Sequence, residues 1–380
     1  MKRHTLTACL ALSAAALALL LSVGLSGCDS NESIDTTSAD TTGTASTTES
    51  ASTATSKPVT TEPEEPDTEP VIEELAFVSL GNGSCYVSGI GTYTGTEIII
   101  PETSPTGDKV TGIGDEAFAD CDGITSVVIP AGVTEIGDWA FFGCDKLSSV
   151  TIPAGVTEIG TSAFLNCIAL SSLTLPDSTV SIGENAFRGC LALTAMHIPA
   201  AVEHIGGGIF RECPALAEIT VADGNTVYTD GDSHCLIEIA TGTLIAGCKS
   251  SVIPDGTLAI ADLAFEGCTG LESAAIPESV TSIGKYVFRN CTGLETASVP
   301  TGITTLSEQM FQGCTSLTTL YLPASLTYVS QWATHDCISL TDVYFTGSAW
   351  QWQTMKREIF GNHYLNSVAA IHPDYVPTEA

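Results

Sequence analysis

The nine residues IPAGVTEIG stand at 129–137 and again, letter for letter, at 152–160. The interval is 23, and the same beat runs through most of the chain. Cys121, Cys144, Cys167, Cys190 and Cys213 keep it, as do Cys268, Cys291, Cys314 and Cys337. Prolines follow it from Pro130 to Pro199 and from Pro254 to Pro323, and phenylalanines from Phe118 to Phe210 and from Phe265 to Phe311. Three residue types in phase across nine units mark a chain built of stacked, near-identical coils.

The phrase also says how one coil is made. In LSSVTIP (147–153), Val150 and Ile152 alternate around Thr151, the period of a short strand with one buried face. Pro153 cannot donate to a ladder and ends the strand. Val156 and Ile159 turn inward again, and Gly160 permits the next bend. The AF-x-x-C segment reads as a short helical or turn-like stretch that carries Phe141 or Phe164 into the core. No unit can bury these side chains alone, so each depends on the units above and below it.

The recurring IPxxVTxIGxxAFxxC phrase, from about Ile98 to Phe345, resembles that of the BspA-like leucine-rich-repeat family of bacterial surface proteins. The resemblance implies an α/β-type repeat solenoid: a right-handed leucine-rich-repeat coil, with a parallel β-sheet on the concave face and short helical or turn segments on the convex face. From III (98–100) to VYF (343–345) we count eleven rungs. The interval from Cys213 to Cys268 is 55 and breaks the period, so one enlarged unit lies at about 222–254, with two extra short strand candidates. The last unit reads VSQWATHDC, with Thr334 where Phe is expected, which suits a terminal repeat. Residues 71–97 read as an N-terminal hairpin cap and 346–380 as a C-terminal cap.

The N-terminus has another character. Lys2 and Arg3 precede an apolar run that ends at LSGC (25–28), the pattern of a secretory signal over 1–27. LSGC resembles the bacterial lipobox, which would make Cys28 the lipidated first residue of the mature protein; two acyl chains suffice for stable anchoring. Residues 28–70 are rich in Ser, Thr, Ala, Glu and Pro and lack aromatics, so they read as a disordered tether. The expected location is extracytoplasmic, lipid-anchored to the membrane and displayed at the cell surface.

The charge balance, 12 Lys+Arg against 44 Asp+Glu, repels nucleic acid and argues against it as a partner. No cofactor or metal is expected. The glycines punctuate coils rather than form a phosphate loop, and His204, His335, His363 and His372 lack metal spacing. His234 and Cys235 read as strand neighbours pointing opposite ways, so they form no nucleophile–base pair. An enzyme is not expected. The ladder cysteines read as buried free thiols; Cys235 and Cys248 are the candidates for a disulfide.

Solenoids of this kind bind through the outward side chains of the sheet. That column runs Val128, Thr151, Thr174, His197, Thr220, Val252, Ala275, Ser298, Tyr321 and Tyr344. Thr151, Thr174, His197, Thr220, Ser298, Tyr321 and Tyr344 are the candidate ligand contacts. The two tyrosines are expected near Tyr328, Trp332, Trp350 and Trp352, and the two last tryptophans are expected to plug the end of the coil. Three functions compete: adhesion to an extracellular protein or glycan, structural assembly of the envelope, and an accessory role in a surface glycan-degrading complex.

Overall fold

The computed structural model describes residues 74–358, 360–368 and 370–377. The secretory segment, Cys28 and the tether fall outside these residues. The described chain is a β-solenoid of about eleven turns with parallel strands and little helix.

Each regular rung contributes two strand positions rather than one. The first comes from the residues before IP: Glu97–Ile99, Ser126–Val128 and Ser149–Thr151 pair in parallel, as do Ala195–Ile198 and Glu218–Val221. Ser273–Ala275, Thr296–Ser298, Thr319–Leu322, Asp342–Phe345 and Ala370–His372 form the longest run of this IP column. The second comes from the EI of the repeated phrase: Glu135–Ile136 pairs with Glu158–Ile159 and that with Ser181–Ile182, in register and 23 residues apart. This EI column begins on an antiparallel hairpin, Ala76–Ser79 with Ser84–Gly89, whose second strand then pairs in parallel with Lys109–Ile113. Ala370–His372 carries the IP column one strand beyond the VYF rung.

The AF-x-x-C segments are turns, not helices. The N–H of Phe118 donates to the carbonyl of Ala140, that of Phe141 to Ala163 and that of Phe164 to Ala186, at 2.8–2.9 Å. Donors that a helix would spend within its own segment are spent on the next rung. The geometry needs a left-handed residue before each Cys, where Asp120, Asn166, Asn290 and Asp336 alternate with Gly143, Gly189 and Gly313, the residue types that adopt it most readily. Gly160 serves a purpose other than the bend expected from sequence. A Cβ there would stand 2.5 Å from the backbone carbon of Gly137, so the glycine lets adjacent rungs approach.

The core is a set of columns. Phenyl rings stack from Phe118 to Phe210 with centroids 5.2–6.1 Å apart, and again from Phe265 through Phe311 at 5.3–5.6 Å. Beside them, each ladder thiol donates to the carbonyl of the Phe one rung earlier: Cys144 to Phe118, Cys167 to Phe141 and Cys314 to Phe288, at 3.0–3.1 Å. Every described cysteine is free. This includes Cys235 and Cys248, which are not disulfide-bonded: Cys235 Sγ faces the carbonyls of Ser233 and Val252, and Cys248 Sγ that of His234.

The enlarged unit holds three strands, not two: Tyr228–Thr229, Leu236–Glu238 and Thr243–Ala246, the last joining the EI column in parallel at Ala259–Ile260. The turn face bypasses it. Glu212 N–H donates directly to the Glu266 carbonyl, and the fully buried Glu266 side chain meets Arg211 at 2.5 Å and Arg289 at 3.4 Å. Removing either charge would leave the other buried and unmatched, which is strongly destabilising. At the last rung Thr334 is buried, its N–H bonded to Asn362 Oδ1, while Asn362 Nδ2 donates to Ser330 O. Backbone groups of the final coil thus meet a polar side chain where the next coil would be.

Two substitutions should move stability in opposite directions. Gly160→Ala forces rungs apart and should cost about 2–3 kcal/mol. Thr179 occupies a slot that Val133, Val156 and Val202 fill elsewhere, and its buried hydroxyl has no partner. Thr179→Val should therefore stabilise by about 1 kcal/mol; urea unfolding followed by circular dichroism reads both. Burial, the largest cause, pushes the thiols of Cys144, Cys213 and Cys337 up to about 12, against 9.0 ordinarily. A raised value means that the stability held by the neutral thiols is whole below about pH 9 and is lost as pH rises toward 12. The melting temperature should fall steeply across that window. At pH 8 iodoacetamide should label only half-exposed Cys121 in the folded ladder, and all nine ladder thiols after unfolding without reductant.

Candidate ligand-binding surface

The seven candidate contacts do not form one continuous stripe. Thr151 ends the front sheet, and Thr174 lies in a segment without strand structure. His197 and Thr220 are brought together in register, His197 Nδ1 lying 2.9 Å from Thr220 Oγ1. The enlarged unit follows, and Val252 within it stands exposed outside any strand. Ser298, Tyr321 and Tyr344 then share one register across three paired strands.

That last group gains two members the sequence reading missed. His372 pairs in register with Tyr344, and Tyr375 follows three residues later. The Tyr344 ring lies between Tyr321, at 5.0 Å and 16°, and His372, at 4.4 Å and 14°. Tyr375 leans on both tyrosines, at 5.7 Å and 5.0 Å. His372 Nε2 is 2.9 Å from Asp342 Oδ1, and this hydrogen bond, the largest cause, holds the Asp342 carboxyl below its ordinary range. Partial burial first, then the neighbouring Tyr375 and Tyr344, push the Tyr321 phenol upward. The alternation of Ala370, Ile371 and His372 carried the signal: one buried-facing residue between two outward ones, just before Pro373.

The other aromatics are elsewhere. Tyr328, seven residues past Tyr321, belongs to the EI column. Trp332 sits on the turn face with a positive φ of 61°, its ring 4.7 Å from His335. Trp350 is 71% exposed and plugs nothing, whereas Trp352 packs on Phe345 at 5.4 Å and under the Arg357 guanidinium at 4.4 Å. Sequence proximity misled because one turn takes 23 residues, and seven residues travel to another face.

Stacking decides what the cluster can do. Both faces of Tyr344 are covered, so it offers ring edges, which carry partial positive charge, and its hydroxyl. Such a surface presents rigid, half-buried apolar area with phenol donors, without a nucleophile and its base. His234 is likewise unsuited, although not as a strand neighbour of Cys235: it sits in a turn with φ 56°. Among the described residues no cluster of three or more His, Cys, Asp or Glu could hold a metal ion, and no helix is long and apolar enough to cross a membrane.

A family profile described as BspA type leucine rich repeat region (6 copies) matches residues 111–231 and 246–366, more than half of the chain. Among solved structures the chain is similar to the pneumococcal vaccine antigen PcpA, at 21% identity and TM-score 0.61, covering 80% of this chain and 86% of that one. It is also similar to a leucine-rich repeat protein from Eubacterium ventriosum, at 21% identity and TM-score 0.52, over 78% and 92% of the two chains. A leucine rich cell surface protein from Faecalibacterium prausnitzii shares 27% identity over 74% and 95%, at TM-score 0.48. No curated protein matches the chain.

Proposed function

The chain belongs to the BspA-type leucine-rich repeat family, and from that premise we propose that it is a displayed binding protein that grips an extracellular protein through the last rungs of its IP column. The reading joins two regions of the chain. The signal-like segment 1–27 exports it, Cys28 carries the lipid, and residues 28–70 hold the repeats away from the membrane. The repeats then present a ligand surface to the surroundings.

The observation that carries the reading is the cluster of Tyr321, Tyr344, His372 and Tyr375. The outward column of the preceding rungs is small, hydroxylated or aliphatic, and gives a partner little to hold. Tyrosines supply large contact area at low entropic cost, and the stack is already rigid before a partner arrives. A protein is favoured over a sugar at this place because the faces of Tyr344, which a sugar ring would need, are occupied.

The test is an array of extracellular-matrix proteins, mucins and bacterial wall fragments probed with the full chain. For a protein that binds, Tyr321→Ala with Tyr344→Ala should weaken binding by about tenfold or more, the loss expected of aromatic anchors. Because both rings stand on the outward side of the sheet, the melting temperature should change little. Unchanged affinity would move the site away from these rungs, and silence across the array would remove the adhesive reading.

A further inference from the structure

A groove of about 600 Å³ opens on the EI column at the last rungs. One wall is a polar row made by three successive rungs at the same phase. Lys285 Nζ lies 3.0 Å from Glu308 Oε2, and Gln331 Nε2 donates to Glu308 Oε1 at 3.0 Å. The other side is Thr305 and Tyr328, neighbours in register on paired strands. The Tyr328 hydroxyl donates to Glu358, which also lines the groove.

Tyr328 differs from the stacked tyrosines in one respect that matters. The Lys356 ammonium stands over one face of its ring at 5.3 Å. Lys356 belongs to the following rung and is outside the groove lining, whereas the groove extends over the preceding rungs. The second face is therefore turned over the small Thr305 and into the groove, and among the described residues no ring stacks on it. An aromatic face bordered by a carboxylate, an amide and an ammonium fits the two sides of a pyranose. The C–H face of the sugar lies on the electron-rich ring, and its hydroxyls donate to Glu308 and accept from Gln331 and Lys285.

Charge narrows the class of ligand. The protein carries a formal net charge of −32, yet here Lys285 offsets Glu308 and Lys356 stands beside Glu358. A nearly neutral groove neither concentrates cations nor draws in an anion. Its volume lies within the range of about 300–1,000 Å³ typical of small-molecule sites. We infer that this groove binds a neutral oligosaccharide, with Tyr328 as the stacking platform and Glu308 and Gln331 as the hydroxyl readers. The site is separate from the tyrosine cluster of the IP column and stands or falls without it.

Calorimetric titration of the full chain with chitotetraose, cellotetraose and maltotetraose tests the inference. At least one should bind with a dissociation constant in the range of about 10 μM to 1 mM. Tyr328→Ala should weaken that sugar by about tenfold or more, while Tyr328→Phe, which keeps the ring, should stay within about threefold. Gln331→Ala removes an exposed amide without touching the core and should cost about fivefold. Tyr321→Ala with Tyr344→Ala should leave sugar binding unchanged. No binding of any of the three sugars at about 10 mM overturns the inference. So does a bound sugar that is indifferent to both Tyr328→Ala and Gln331→Ala, or one lost with the Tyr321 and Tyr344 rings instead.

Discussion

Everything in this molecule depends on rungs approaching to backbone hydrogen-bond distance on every side of the coil. Strand pairs do this in the IP and EI columns, and on the turn face the amide of each regular Phe reaches the carbonyl of the residue before the next Phe. Each contact demands that consecutive units share a path, because a shift of one would leave buried donors and acceptors without partners. The glycine of IG follows from the same demand, since a Cβ would press on the rung before it. So does the cysteine, a residue small enough for the column and able to offer its S–H to a Phe carbonyl.

Departures from the repeat concentrate where stacking is interrupted. At the enlarged unit the Phe column changes partner: Gly247 lies so close to the Phe265 ring that a side chain would collide with it. The buried Arg211–Glu266–Arg289 group fastens the turn face across that seam. At the end of the coil, Thr334 and Asn362 replace a phenyl with hydrogen bonds, and the aromatic side chains move outward onto the IP and EI columns. The last rungs therefore carry both candidate ligand surfaces, one of stacked rings seen edge-on and one with a ring face left open.

The repeat was legible because it is a local pattern copied many times. Phase alone identified the Phe and Cys columns, the inward Val and Ile, and the outward place of Tyr321 and Tyr344. It did not reveal the second strand column, because two residues such as Glu135 and Ile136 are too few to display a period. Nor did it show that the AF-x-x-C segments are turns, since that outcome is set by acceptors 22 residues away rather than by the segment's own propensity. The aromatic cluster was half read. Its tyrosines were visible, but His372 and Tyr375 reach them only through a strand pairing that closes over 28 intervening residues.

What the sequence by itself determined is the unit: its length, its buried face, and the requirement that like stack upon like. The tertiary structure decided which side chains from different rungs meet, and which surface of an aromatic ring is left for a ligand. Interval fixes height along the stack, but whether a ring shows its edge or its face depends on what stands one rung away. For Tyr344 that neighbour is another ring on each side, and for Tyr328 it is a threonine.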